Sequence, residues 1–319
     1  MKIALVSTGG TIAMAQGTGR DVSSLSYNAA FFARELDVAE DDDIIAINYS
    51  QLPSSNFDSS YSQKLADKLM KLQSEVDGII ITHGTDTMEE TAFYLDLVLP
   101  NSIPVVLTGA MMTGTQPGYD GIINLRNAYK VVRESNSAKK GVLIVFNRDI
   151  ISSVHAAKVE SERPSAFGNV QTGKIGAING NRVLYYYETK PHIKLENQPK
   201  GKVFLCKLHY DIEPSLVKYC SDQVDIVVFE CLGSGRVPPK LLPIIDEVIR
   251  DRIAILTTRV FSGHLHDEYS YDGSYQYFLS RKVIFSPLNS LKSCLLAKLC
   301  LGNGMKFDEM KKAFEGFFG

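Results

Sequence analysis

GIIITHGTDTMEET, residues 78–91, is the stretch on which the fold turns. An apolar run, Gly78 to Ile81, predicts a buried strand, and the spacing from Met88 to Leu99 predicts a helix. The junction THGTDTMEET (82–91) therefore sits at the carboxyl end of a strand, where open α/β sheets bind ligands. It presents hydroxyls, a carboxylate and free backbone N–H groups at that edge. Helix capping accounts for part of this polarity, because Thr87 with Glu90, and Asp86 with Glu89, both have capping-box spacing. Capping does not account for a His, a Gly, two Thr and an Asp crowded together, and the stretch reads as half of an active site.

The same layout recurs on either side. A strand over residues 3 to 7 ends at Thr8-Gly9-Gly10-Thr11, a turn whose glycines let the backbone approach a ligand. A polar loop or lid, Gln16 to Ser26, follows in place of the spaced glycines and immediate helix of a dinucleotide site. A helix from about Asn28 to Leu36, capped by Ser26, leads to a strand Ile44 to Asn48, with Ser50 and Gln51 at its end. After a helix Ser62 to Ser74 and the central motif, strand Pro104 to Thr108 ends at Gly109-Ala110, and strand Gly141 to Phe146 ends at Asn147. Successive strands delivering small or polar residues at their carboxyl ends define a parallel, helix-covered sheet with one functional edge.

Short hairpin-like runs occupy Lys174 to Tyr187, and Glu188 to Lys202, with two prolines and many charges, reads as a linker. Alternation resumes with strands near Val203 to Leu208, Ile226 to Glu230 and Ile253 to Thr257, and helices near Leu241 to Arg250 and Leu291 to Leu301. The expected division is a larger N-terminal parallel-sheet α/β domain (1–187), a linker (188–202) and a smaller, flavodoxin-like C-terminal α/β domain (203–319). A chain of 319 residues exceeds what one core usually organises, which agrees with two domains.

A 45% apolar and 22% charged composition is that of an ordinary soluble globular protein. The net charge of −2 provides no basic field for a polyanion, so nucleic acid is excluded as the expected partner. Cys206, Cys220, Cys231, Cys294 and Cys300 are odd in number and lack CxxC or Cys/His ligand spacing, so they read as reduced thiols of a cytoplasmic protein. No long apolar segment suggests a signal or a membrane anchor.

Thr11 and Thr85, both at strand ends, are candidate nucleophiles, but a hydroxyl is weak until something takes its proton. Asp86 adjoins one of them. Lys158 is a further candidate base, although spacing alone does not raise it above a solvated surface charge.

The signatures STGGTIA (7–13) and THGTDTMEET (82–91), with Ser50-Gln51, LTGAM (107–111), DGIINLRNA (120–128) and GVLIVFN (141–147), resemble the bacterial-type L-asparaginase family, including its asparaginase/glutaminase enzymes. The resemblance covers the first two-thirds of the chain and continues more weakly beyond. It implies hydrolysis of L-asparagine to L-aspartate and ammonia, with attack by Thr11 on the side-chain amide carbon and an acyl-enzyme. It places Thr85, Lys158 and Asp86 in a hydrogen-bonded chain that activates water or Thr11, and leaves open which threonine attacks first. The oxyanion is expected at backbone N–H groups of Thr11 and Thr85. Ser50 and Gln51 match the segment that binds the amino-acid head group, Asp86 its α-ammonium, and Ala110 the leaving-group side. These residue types suit a zwitterionic substrate, and the reaction needs no metal or organic cofactor. The family also implies a homodimer or homotetramer whose sites are completed by a neighbouring subunit.

Three departures matter. The family's lid tyrosine would fall near Gly19 and Arg20; Tyr27, at a helix start, is expected to pack instead, because two helical turns cannot preserve a bond of about 3 Å. Gly233-Ser234-Gly235-Arg236 stands where relatives carry an Asn, so Arg236 or Arg20 could read an extra anionic group on the substrate. His264-x-His266-Asp267-Glu268 looks like a metal cluster, yet such loops are more often solvated or interfacial, and no metal is assigned. The acidic residue that some relatives send to a neighbouring site aligns with Ser270 rather than Glu268. Two rivals accompany the main reading: a glutaminase or an amidase for a modified or anionic amide, and a catalytically weak amino-acid-binding protein.

Overall fold

The computed structural model describes residues 1–15, 24–169, 172–266 and 268–318. The chain divides into two compact units, Met1–Lys194 and Leu195–Gly319. The first contains β1 (Lys2–Gly9), β2 (Met14–Ala15), β3 (Ser24–Leu25), α1 (Ala29–Arg34), β4 (Asp43–Leu52), α2 (Ser59–Leu72), β5 (Gly78–Thr82) and α3 (Met88–Val98). It continues with β6 (Val105–Thr108), α4 (Gly121–Arg133), β7 (Val142–Phe146), β8 (Asp149–Ser152), β9 (Ala156–Lys158), β10 (Phe167–Asn169), β11 (Gly176–Asn179) and β12 (Arg182–Tyr185).

Its main sheet has the order β12-β11-β8-β7-β6-β5-β1-β4. The five strands from β7 to β4 are mutually parallel, and β8, β11 and β12 add antiparallel pairs at one side. Strands β5, β6 and β7 are buried on both faces, which is why they read as continuous Val/Ile/Leu runs rather than alternating ones. Burying each such side chain stabilises the fold by about 1.5–3 kcal/mol. Phe32 of α1 and Leu125, Ala128 and Val132 of α4 join Ile3, Leu5, Ile80 and Val106 in one core cluster.

The chain leaves β1 for β4 on one side and returns to β5 on the other. Strand order therefore reverses between β1 and β5, and the carboxyl ends of these strands flank the crevice where α/β sheets bind ligands.

Two sequence expectations change here. Asn28, not Ser26, caps α1, its side chain accepting from Phe31 N–H. The strand expected over Ile44–Asn48 continues to Leu52 through a bulge: Ser7 and Gly9 of β1 pair with Asn48 and Leu52, so two steps along β1 oppose four along β4. Residues 188–194, within the segment read as a linker, are anchored in the first unit. Glu188 pairs with Lys140, and Asp96, 1% exposed, receives Lys194 at 3.1 Å and lies 3.5 Å from His192.

The second unit runs β13 (Val203–Lys207), α5 (Pro214–Ser221), β14 (Ile226–Cys231), α6 (Leu242–Asp251), β15 (Ile253–Thr258), α7 (Tyr275–Leu279), β16 (Val283–Phe285), α8 (Ser290–Gly302) and α9 (Phe307–Glu315). Its four strands are parallel and lie in sequence order around their own core, including Val227, Phe229, Ile245 and Leu256. Among the described residues, no helix is long and apolar enough to cross a membrane.

Candidate active site

Two loops meet where strand order reverses. Gly10 has φ of 79°, and a Cβ there would come within 2.2 Å of Gly84 Cα. Only glycine permits this backbone-to-backbone approach. Thr11 and Thr85 are the next residues on the two loops, so residues far apart in sequence occupy neighbouring turns. Thr8 Oγ1, donating to Thr82 O at 2.9 Å, and His83 N, donating to Thr108 O at 2.9 Å, tie the ends of β1, β5 and β6 together.

Lys158, at the end of β9, completes the Thr85 side. Its Nζ lies 3.0 Å from Thr85 Oγ1 and 2.8 Å from Asp86 Oδ1. The lysine side chain is 19% exposed and the Asp86 side chain 65%, so the amine is largely withdrawn from water while its carboxylate partner is not. Lys158 N–H also donates to Glu89 Oε1 at 3.1 Å, which fixes β9 to the first turn of α3. As an ammonium Lys158 donates to both partners; as a free amine it accepts the proton of Thr85, and Asp86 stabilises the ammonium that forms.

The capping-box reading of Thr87 and Glu90 is corrected. Thr87 occupies the N-cap of α3 without a side-chain cap bond, and its hydroxyl donates instead to Ser54 O at 2.9 Å.

That bond identifies a residue the sequence reading passed over. Because β4 continues to Leu52, Ser50 lies inside the strand, where its hydroxyl donates to Thr8 O at 2.7 Å and shares a 2.7 Å bond with Tyr61. Burial pushes the Tyr61 hydroxyl well above its ordinary pKa, against the opposing effect of its Ser50 bond. Gln51 is exposed on the same strand. The residue packed on the THGTDT turn is Ser54: a Cβ on Gly84 would lie 2.7 Å from Ser54 Oγ. This hydroxyl is buried and has no hydrogen-bond partner among the described residues. Pro53, which ends the strand by withholding a donor, was the available signal.

Ala110 is fully buried, main chain included, in the core cluster that holds Leu125 and Ala128 of α4. Burial lowers the pKa of His83 to about 4, partly opposed by its Nδ1 bond to Gly84 O at 2.7 Å. The ring is therefore neutral at neutral pH with the proton on Nδ1, since a carbonyl can only accept. Tyr27 stacks on Phe31 with centroids 4.1 Å apart, the packing position expected of it. Gly19, Arg20 and Asp267 lie outside the described residues.

Comparison with known proteins gives this geometry its context. Residues 2–191 match the family model for the asparaginase N-terminal domain, and residues 202–314 match that of the glutaminase/asparaginase C-terminal domain. The chain belongs to the asparaginase family. A probable L-asparaginase of Deinococcus radiodurans is 31% identical, covering 99% of this chain and 98% of its own length. A glutaminase-asparaginase of Pseudomonas aeruginosa is 27% identical over 98% of this chain and 89% of its own. The crystal structure of a probable cytoplasmic L-asparaginase from Campylobacter jejuni superimposes with a TM-score of 0.86 at 26% identity, covering 99% of both chains.

Two features singled out in this asparaginase-family sequence belong to the second unit. Arg236 places its guanidinium 4.4 Å from the Tyr269 ring centroid, where the face of the ring attracts the cation. His266 lies 4.0 Å from Glu268 and packs near Tyr269.

Proposed function

We propose that this chain hydrolyses the side-chain amide of L-asparagine to L-aspartate and ammonia, acting in the cytoplasm as a homo-oligomer. The observation that carries this reading is the Thr85–Lys158–Asp86 chain beside the Gly10–Gly84 contact, in a member of the asparaginase family. Thr11 Oγ adds to the amide carbon, and its proton leaves with the amide nitrogen as ammonia. Water then adds to the resulting ester; Thr11 recovers a proton and aspartate is released. Thr85, with Lys158 and Asp86 behind it, transfers the protons of these steps. Backbone N–H groups of Thr11 and Thr85 hold the oxyanion.

Asp86, 65% exposed, is the acceptor for the substrate α-ammonium. Ser50 and Gln51, on the bulged strand, bind the amino-acid head group, Ser54 packs beside them on the turn that carries Thr85 and Asp86, and the Gly109–Ala110 turn lines the leaving-group side. The chemistry lies in the N-terminal domain (1–187), to which residues 188–194 are anchored, and the rest of the segment 188–202 leads to the C-terminal domain (203–319).

The relative named glutaminase-asparaginase favours glutamine as a second substrate. One methylene changes selectivity by only about 1–3 kcal/mol. Ammonia release from asparagine and from glutamine, with Thr11→Ala, Thr85→Ala and Lys158→Met as controls, tests both readings. Each substitution is expected to lower kcat by roughly a thousandfold or more, as loss of a group from a nucleophile–base unit does. Full turnover by Lys158→Met would remove the proposed proton path, and a parent that binds asparagine without releasing ammonia would be an amino-acid-binding protein.

A further inference from the structure

Three sequence signatures outside the threonine loops, LTGAM (107–111), DGIINLRNA (120–128) and GVLIVFN (141–147), meet in one hydrogen-bond network. Asp120, 6% exposed, accepts Met111 N–H on both carboxylate oxygens at 3.1 Å and Met112 N–H at 3.0 Å. Asn124, 1% exposed, donates from Nδ2 to Gly109 O at 3.0 Å and to Asp120 Oδ2 at 3.2 Å. Its Oδ1 accepts Asn147 N–H at 3.0 Å. Asp120 occupies the N-cap of α4, yet its side chain makes no cap bond to that helix. An N-cap aspartate ordinarily satisfies its own helix, so its use on a neighbouring turn points to what that turn does.

The turn abuts the proposed chemistry. A Cβ on Gly109 would lie 2.5 Å from His83 O and 3.5 Å from Thr85 Cγ2. Tyr119, beside Asp120, donates to Ile12 O at 2.6 Å and so holds the residue after Thr11. A buried carboxylate and amide are tolerable only with their bonds made, so displacing the turn would leave several polar groups unsatisfied at once.

We propose that Asp120 and Asn124 are positioning residues for the hydrolysis: they fix the Gly109–Met112 turn against Thr85, so that the leaving-group wall is formed before substrate arrives. This inference rests on the asparagine hydrolysis proposed above and adds the residues that preorganise it.

The test measures kcat and KM for asparagine, thermal stability, and hydrogen exchange at the Met111 and Met112 amides, in the full chain and in Asp120→Asn and Asn124→Ala. The control is Tyr129→Phe, which removes bonds to Asp42 (2.5 Å) and Ala39 N (3.0 Å) farther along α4. In the Asp120 and Asn124 variants, kcat is expected to fall by about tenfold or more with KM within about threefold, alongside faster exchange of both amides. Tyr129→Phe should lose stability and keep kcat within about twofold. A folded Asp120→Asn with faster exchange and unchanged kcat overturns the inference, as does an equal loss of kcat in Tyr129→Phe. If Asp120→Asn does not fold, Asn124→Ala decides by the same criteria; if neither folds, the network serves folding alone and the inference fails. A parent that releases no ammonia from asparagine sinks the functional reading instead, and exchange then reports on the clamp by itself.

Discussion

At the scale of the residue, Ser54 separates a structural hydroxyl from a binding one. A buried hydroxyl with no partner among the described residues adds no hydrogen bond to the fold, so its removal should leave the melting temperature unchanged or raise it. If its acceptor or donor capacity serves a substrate carboxylate, Ser54→Ala is expected to raise KM for asparagine roughly tenfold to a hundredfold, since bonds to charged groups contribute about 1.5–3 kcal/mol. Steady-state kinetics showing an unchanged KM would exclude Ser54 from binding. His83 makes a prediction of a different kind. Its pKa is lowered by burial to about 4 in the folded chain, against 6.5 when unfolded. Between those values the unfolded state binds the proton and the folded state does not, so stability falls as pH drops from 6.5 towards 4 and levels off below. The total is on the order of 3 kcal/mol. His83→Asn, which keeps a donor near the Nδ1 position, should lack this component, and urea denaturation of both proteins across the range would show parallel curves if His83 were solvated.

At the scale of the element, the hairpin joining β7 and β8 carries local strain. Its turn residues, Asn147 and Arg148, have φ of 46° and 67°, as two-residue turns of this twist require. Asn tolerates that region; Arg does not, and glycine is favoured there by about 1 kcal/mol. Arg148 O still accepts Ile178 N–H at 2.8 Å, a main-chain bond that glycine would keep. Arg148→Gly is therefore expected to raise the urea midpoint by an amount equivalent to about 0.5–1 kcal/mol, and a lower midpoint would mean that the arginine side chain contributes more than its backbone loses.

The same elements show what the sequence could and could not disclose. β5 spans Gly78–Thr82 as the apolar run predicts, and α3 ends one residue before the expected Leu99. Both are contiguous and strongly patterned. α4 went unread as a helix because it begins at Gly121 and buries Asn124 and Asn127 on its inner face, which interrupts the apolar period. β9, at three residues, is too short to carry a pattern. Thr11, Thr85 and Asp86 could be picked out because each sits in a glycine-marked turn. Lys158 could not, since its bond to Asp86 spans 72 residues and depends on how β9 is anchored by Glu89. Ser54 was hidden by the bulge in β4, which moves the strand's end four residues beyond Asn48, a displacement that no alternation rule anticipates.

At the scale of the whole molecule, the second unit leaves large apolar groups in water. Leu216 and Tyr219, 65% and 68% exposed, are three residues apart on α5 and so share a face; Tyr210, in the preceding loop, is 91% exposed. Leaving such side chains hydrated forfeits roughly 1.5–3 kcal/mol for each that a contact could bury. Association would bury the apolar face that Leu216 and Tyr219 share, and a net charge of −2 offers little repulsion between copies. The proposed homo-oligomer therefore predicts that Leu216→Glu, which introduces a charge on this face without touching the core, shifts the mass seen by light scattering towards the monomer. If a neighbouring copy completes each site, specific activity per chain should also fall with dilution, and at a higher concentration in Leu216→Glu than in the parent. A parent that scatters as a monomer at full specific activity would show that one chain suffices for the reaction, and that the exposed face of α5 has no part in it.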